Sequence, residues 1–372
     1  MRVLFWSLNF WPNIGGIEVL AAKLVPALRE RGHELLVVAP KSSPELADEA
    51  QYHGIPIHRF SFQNTTTPAG IDHLLEVRQK VAKLKSAFAP DLVHINGVGL
   101  TDFYHLTTRN AHRAPLLVTL HGEWHPQADA IVGRTLREAD WVAGCSASVL
   151  DRGRRLAPEI TPWSSVIYNG LEIPVLAPTP LPFTRPRILC LGRLSTEKGM
   201  DLALASFGSI LDRFPGARLT IAGEGPARPE LQRQAVVYGI DPAVDFLGWV
   251  APDKVPSLIN ASTIVLMPSR QDSMPLVALE AALMARPIVA TRVGGLPEVV
   301  VHEKTGLLVE KENIGGLAEA VNWLLAHREA AVSMGQAARR RAQTIFGWEQ
   351  HVAAYDALYE KLTNKRNDIR AV

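Results

Sequence analysis

The chain alternates short apolar runs of strand length with longer stretches in which apolar residues recur at helical spacing. Val3–Leu8 is the first such run. Pro12-Asn13-Ile14-Gly15-Gly16 then forms a glycine loop that opens a helix, Ile17–Arg31, with Val19, Leu20, Leu24, Ala27 and Leu28 on one face. Gly32-His33 stops that helix and Glu34–Ala39 reads as a second strand. Strand, glycine loop, helix and strand make the opening of a Rossmann-like unit. The alternation continues through strands Ile57–Phe60, Leu92–Ile95, Leu116–Leu120 and Asp140–Gly144, with a helix over Leu74–Phe88.

Pro174–Pro186 carries no periodicity and is rich in proline, which predicts a linker between domains. A second alternation follows. Strands are predicted at Arg187–Leu191, Leu219–Ala222, Val244–Val250, Thr263–Met267, Pro287–Thr291 and Thr305–Val309. Helices are predicted at Met200–Phe214, Leu276–Ala285, Leu317–Ala326, Glu329–Ile345 and Trp348–Leu362. The pattern predicts an α/β protein of two Rossmann-like, doubly wound domains, 1–173 and 187–346, joined by linker 174–186 and followed by a terminal helix in 347–372.

Composition narrows the picture. At 372 residues the chain exceeds one ordinary core, and 47% hydrophobic with 20% charged residues is a soluble globular balance. A net charge of +2 gives no case for nucleic acid as a partner. Cys145 and Cys190 lie in or beside apolar runs, as buried thiols of a reducing compartment do. The start of the chain reads as a strand, not a leader, and no run reaches the roughly 18 apolar residues of a membrane span. These features predict a cytoplasmic protein. The helix Leu74–Phe88 carries Arg78, Lys80, Lys83 and Lys85, read as a solvated charged face; it is also compatible with peripheral contact at the cytoplasmic face of the inner membrane. Asn64–Pro68, with three threonines, reads as a loop.

The candidate chemistry centres on Thr263–Val300. Asp272 lies in a polar loop and Glu280 on the helix that follows, eight positions on. The start of that helix aims free N–H groups around Ser273–Leu276 at whatever fills the loop, a natural anion site. An anion site with two flanking carboxylates that accept from hydroxyls suits a sugar nucleotide. Gly192–Gly199, after its strand, adds the guanidinium of Arg193 and the ammonium of Lys198, which together can neutralise a diphosphate. His121, before Gly122, stands at the carboxyl end of a strand, where α/β proteins bind ligands. His94 and His125 have weaker cases. Neither half opens with G-x-G-x-x-G and a ribose-binding acid, which argues against hydride transfer.

Several stretches resemble one family. Pro268-Ser269-Arg270-Gln271-Asp272-Ser273-Met274-Pro275 with Leu279-Glu280-Ala281 follows the pattern P-S-x-x-E-G-x-P-x-x-x-x-E-A. Gly192-Arg193-Leu194-Ser195-Thr196-Glu197-Lys198-Gly199 follows G-R-L-x-x-E-K-G. Gly223-Glu224-Gly225-Pro226, Phe246–Val250 (F-x-G-x-V) and His121-Gly122 add further marks, and Val166–Gly170 resembles the segment closing the first domain. The chain resembles the retaining GT-B glycosyltransferases of glycosyltransferase family 4 over nearly all its length, most strongly from Ile188 to Val309. It departs at Asp272, where the family has Glu, and at Ser273, where the family has Gly. The shorter carboxylate leaves the donor sugar open.

The resemblance implies two domains facing a cleft, with the last helix crossing back to the first. It implies retaining transfer from a nucleotide diphosphate sugar, by preference a UDP-sugar, to an acceptor hydroxyl in polysaccharide, glycolipid or glycoconjugate synthesis. No cofactor or metal is implied, and the chain carries no D-x-D element. Catalytic roles fall to Asp272, Arg193, Lys198 and His121. Glu280 is implied to hold the ribose, Gly248 and Val250 the base, and Gly15, Gly16, Ser273, Met274, Pro275 and Leu276 the rest of the donor, with Glu224 organising its loop. The acceptor would meet loops around Asn64–Gly70, Asn96–Thr101 and Gly122–Pro126. A GT-B relative with other chemistry (a 2-epimerase or a phosphorylase) and a non-catalytic nucleotide-sugar sensor are the competing readings.

Overall fold

The computed structural model describes residues 1–13, 15–62, 68–122 and 124–370, with backbone alone for 68–70 and 365–370. The threonine loop at Asn64–Pro68 thus falls outside the described residues, apart from the backbone of Pro68. The chain divides into two compact units, Met1–Tyr168 with Gln350–Val372, and Asn169–Glu349.

The first unit runs β1 (Arg2–Ser7), α1 (Gly16–Glu30), β2 (Glu34–Pro40), β3 (Glu49–Tyr52), β4 (Ile55–Phe60), α2 (Pro68–Phe88), β5 (Leu92–Asn96), α3 (Asp102–Thr107), β6 (Leu116–Leu120), α4 (Asp129–Glu138), β7 (Trp141–Gly144), α5 (Ala147–Leu156) and β8 (Ser164–Val166). Its eight strands are ordered β3-β4-β2-β1-β5-β6-β7-β8, parallel except for the β3–β4 pair. Helices cover both faces, so β1, β5 and β6 read as continuous apolar runs and are buried along their lengths. Gly32, at φ 89°, ends α1 with hydrogen bonds from Gly32 N to Arg29 O and His33 N to Leu28 O.

The second unit runs β9 (Arg187–Leu191), α6 (Met200–Arg213), β10 (Arg218–Ala222), α7 (Arg228–Val237), β11 (Val244–Gly248), α8 (Val255–Asn260), β12 (Ile264–Met267), α9 (Leu276–Leu283), β13 (Ile288–Thr291), α10 (Leu296–Val299), β14 (Gly306–Val309), α11 (Ile314–Ala326) and α12 (Arg328–Ile345). Its six parallel strands are ordered β11-β10-β9-β12-β13-β14. The core packs Ile188, Leu204, Phe207, Ile221, Leu266, Val289, Leu317 and Val321 between the layers.

Three expectations are corrected here. The proline-rich 174–186 segment is a strap on the second unit rather than a linker. Thr179 N donates to Asn260 Oδ1 at 2.9 Å, Asn260 Nδ2 donates to Ala177 O at 3.1 Å, and Thr263 Oγ1 donates to Pro182 O at 3.1 Å. Arg286, only 1% exposed, donates to Thr179 O and to Asn260 Oδ1, and Leu181 and Phe183 pack on the core. The boundaries accordingly fall at 168/169 and 349/350 in place of 173 and 347. Lys85, finally, is not part of a solvated basic face. Its ammonium is buried and donates to His105 Nδ1, His105 O and Thr108 Oγ1 at 3.0–3.1 Å, capping the carboxyl end of α3. Of its basic neighbours, Arg78 donates to Thr107 O, whereas Lys80, which pairs with Glu76 at 2.7 Å, and Lys83 are exposed. No helix among the described residues is long and apolar enough to cross a membrane.

The last helix, α13 (Trp348–Arg370), belongs to the first unit from Gln350 onward. Val352, Tyr355, Tyr359 and Leu362 bury its apolar face. A polar chain runs beneath it. The Tyr359 hydroxyl and His94 Nδ1 are 2.7 Å apart, His94 Nε2 and Thr119 Oγ1 2.8 Å, and Thr119 Oγ1 and the Tyr355 hydroxyl 3.2 Å. His351 Nδ1 donates to Tyr168 O at 2.7 Å. Burial holds these rings neutral: His94 sits well below the ordinary imidazole value, and His351 is pushed down to about 4.

Below pH 6.5 the unfolded chain therefore binds more protons than the folded one. The stability held by these rings is full above that pH and is lost as pH falls towards the folded values. We expect urea stability of the first unit to fall by about 1.4 kcal/mol per buried histidine for each pH unit below 6.5. His351→Gln should flatten that slope. A midpoint constant between pH 7.5 and 5.5 would refute the account.

Candidate functional site

Strand order places the site. In the second sheet the connections run outward one way from β9 through β10 to β11, then the other way from β12, so the order reverses between β9 and β12. Loops leaving neighbouring strands at such a reversal part and leave a binding crevice at the carboxyl ends. Those two loops are Gly192–Gly199 and Pro268–Pro275, the stretches singled out by their residues.

Backbone contacts lock them together. Arg270 N and Gln271 N both donate to Glu197 O, at 2.7 and 3.3 Å. Gly199, at φ 64°, lies so close to the Pro268 carbonyl oxygen that a β-carbon would collide with it. Gly294, at φ 52°, meets the Asp272 carbonyl in the same way, and Gly295 N donates to that oxygen at 3.0 Å. On the other side, Leu194 N donates to Glu224 O at 2.8 Å and Gly223 N to Gly248 O at 2.7 Å. The loops after β9 to β13 thus form one connected rim.

This rim sets the side chains. Lys198 Nζ lies 2.7 Å from Asp272 Oδ2, and Ser269 Oγ donates to the same oxygen at 3.2 Å. Asp272 is 8% exposed, while the Lys198 side chain keeps 30% of its surface in solvent. Arg193 is exposed on the same loop. Ser273 is half-buried, Met274 and Pro275 are buried, and α9 starts at Leu276. Within the apolar sequence of α9, LVALEAAL, Glu280 is the one polar side chain and is half-buried. Glu224 pairs with Arg228 beside Gly248, at φ 75°, and Val250 is half-buried.

Two residues matter here that sequence reasoning left without a role. Arg270 grips Asp201 with both Nη atoms at 2.7 and 2.6 Å, reaches Glu312 with Nε at 2.7 Å and donates to Thr196 O at 2.9 Å. These bonds raise its pKa and tie the loop bearing Asp272 to the start of α6. Its partners lie 69 and 42 residues away, so no local signal announces it. Asn169 donates from Nδ2 to Met274 O at 3.3 Å, which puts part of the Val166–Gly170 segment in the second unit.

The remaining predicted residues lie in the first unit, whose order reverses between β1 and β5. Gly15 is extended (φ −170°), Gly16 opens α1, and the Glu18 carboxylate folds back over Gly15. His121 follows β6, 9% exposed, with Nε2 2.7 Å from Asn96 Oδ1. Its pKa is pushed down to about 3 by burial and then by His351, so the ring is neutral. His94 belongs to the network under α13, and His125 accepts from Gln127 N.

With this geometry in hand, comparison with known proteins is decisive. The family described as "Glycosyltransferase Family 4" matches residues 14–173, and "Glycosyl transferases group 1" matches residues 185–327. The chain belongs to these glycosyltransferases. The glycosyltransferase is similar to a glycogen synthase of Mycobacterium tuberculosis, at 29% identity over 99% of this chain and 96% of that one. Among solved structures it is similar to sucrose-phosphate synthase from Thermosynechococcus elongatus, with TM-score 0.85, 21% identity, and 98% and 99% of the two chains covered. It is also similar to the Anabaena protein HepE in complex with UDP, with TM-score 0.80, 21% identity, and 97% and 100% covered. The fold of this glycosyltransferase is GT-B.

Two substitutions separate the parts of this site. Arg270→Ala should strand two carboxylates and destabilise the second unit by about 1.5–3 kcal/mol, with Arg270→Lys recovering only part because the fork is lost. Lys198→Ala takes the ammonium from a carboxylate that is only 8% exposed, so it should cost about 1–3 kcal/mol, and in addition cut turnover by orders of magnitude in the folded variant. Thermal melts and turnover of both variants check this; a Lys198→Ala enzyme of wild-type rate would remove Lys198 from the chemistry.

Proposed function

We propose that this glycosyltransferase moves a sugar from a UDP-sugar to an acceptor hydroxyl with retention of anomeric configuration and without a metal ion. The observation that carries the reading is the Lys198–Asp272 pair, held beside the start of α9 by the rim of loops. The N–H groups at the start of α9, with Lys198 and Arg193, stabilise the negative charge that grows on the leaving diphosphate. That is the task a metal ion performs in other sugar transfers. Glu280 accepts from the ribose hydroxyls, and the backbone after Gly248, around Val250, reads the base edge. A solved complex of HepE with UDP-glucose, similar in fold, supports UDP as the nucleotide.

The surroundings of Asp272 support retention. Its carboxylate is engaged by an ammonium and a hydroxyl, which makes it a poor nucleophile and a poor base and suits it to holding hydroxyls of the donor sugar. In the step that remains, the bond from the anomeric carbon to the phosphate oxygen breaks and the bond to the acceptor oxygen forms on the same face. The acceptor proton passes to the departing phosphate oxygen.

The test is a thermal-shift series with UDP, GDP and ADP and their sugar conjugates, in EDTA. UDP at a hundredfold its Kd should stabilise the protein by about 2.7 kcal/mol, and Lys198→Ala should abolish the shift. A shift with GDP or ADP alone would replace the nucleotide in this reading, and a shift abolished by EDTA would end the metal-free part.

A further inference from the structure

Asn96 ends β5 and His121 follows β6, the neighbouring parallel strand in which Thr119 pairs with Asn96. The Asn96 oxygen facing the ring can only accept, so the ring proton sits on Nε2 and Nδ1 keeps its lone pair. His121 Nδ1 and Asn96 Nδ2 are both buried and have no hydrogen-bond partner among the described residues. An unmet buried polar group costs roughly 1–3 kcal/mol. Two such groups on one hydrogen-bonded pair, at the strand ends beside a sheet reversal, mark a place completed by something outside the chain.

We propose that Asn96 is a positioning residue that holds His121 as the neutral Nε2–H tautomer, so that Nδ1 accepts a hydrogen bond from a hydroxyl of the sugar substrate. An imidazolium could not do this, because both its nitrogens donate. Burial opposes protonation of the ring first and His351 on α13 second; His94 stands nearby on β5, and Cys145 Sγ donates to the His121 carbonyl oxygen at 3.4 Å. An amide at position 96 fixes the tautomer without adding the negative charge that a carboxylate would bring. The inference rests on the reading that these strand ends take part in binding a nucleotide sugar.

The test is nitrogen NMR of the histidine rings in the full chain, alone and with UDP-glucose. The expected result is a His121 ring protonated at Nε2 only, with its Nδ1 resonance moving when UDP-glucose saturates the protein. In Asn96→Asp a carboxylate would hold the ring charged at neutral pH. UDP release from UDP-glucose should then fall about tenfold at pH 7, the worth of one lost hydrogen bond, and recover as pH rises. In Asn96→Leu the fall should be independent of pH. A wild-type ring protonated at Nδ1, an Nδ1 resonance unmoved at saturation, or an Asn96→Asp enzyme with the wild-type pH profile would each overturn the proposal. Failure of UDP-glucose to shift the melting temperature would instead count against the donor reading, and the tautomer in the ligand-free chain would still decide the role of Asn96.

Discussion

Everything at the candidate site depends on how closely two backbones approach. The loop carrying Lys198 and the loop carrying Asp272 can lie side by side only because Gly199 has no β-carbon to strike the Pro268 carbonyl. On the far side, Gly294 grants the same closeness to the Asp272 carbonyl. With the backbone pinned on both flanks, the Asp272 carboxylate has little freedom, and Lys198 and Ser269 meet it at hydrogen-bond distance. The ammonium is partly solvated and the carboxylate buried, so Lys198 also offsets the cost of keeping Asp272 charged in the interior. In the proposed reaction the pair's value lies in being aimed, because preorganised charge costs no rearrangement as a leaving group departs.

Arg270 shows how such a loop is braced. A planar fork with carboxylates on two sides and a carbonyl on a third fixes direction as well as distance. Arg286 does the same work deeper in the second unit with neutral partners, taking carbonyls and an amide oxygen from the proline-rich strap and the end of α8. Burial lowers its pKa to about 10, which still leaves the guanidinium charged at neutral pH.

Beneath α13 the polar interior of the first unit is built from neutral groups. Histidine, threonine and tyrosine side chains hydrogen-bond in sequence beneath α13, and burial keeps each ring uncharged. This arrangement satisfies the groups without importing ions into a low-dielectric layer. Asn96 Nδ2 and His121 Nδ1, at the edge of the same layer, have no hydrogen-bond partner among the described residues.

Much of this was legible in order along the chain. Strands buried on both faces show as unbroken apolar runs, so β1, β9, β12 and β13 could be found without coordinates, and the glycine-bearing loops after them announced the rim. Short or exposed elements such as β3, with its pattern Glu49-Ala50-Gln51-Tyr52, gave no such signal. The proline-rich strap was misread because proline removes periodicity whether a segment is free or pinned, and the pins (Asn260, Thr263, Arg286) lie some eighty to a hundred residues further on. Lys85 was misread because a charged residue on a helix usually faces water, and only the packing of α3 showed otherwise.

Local patterning and motif spacing by themselves determined the α/β class, the two sheets, the family and the residue types at the site, since each depends on neighbours in sequence. Tertiary structure alone decided the strand order and its reversals, the closeness of the two loops, the Arg270 brace and the pairing of Asn96 with His121. Those depend on which distant segments the cores bring side by side.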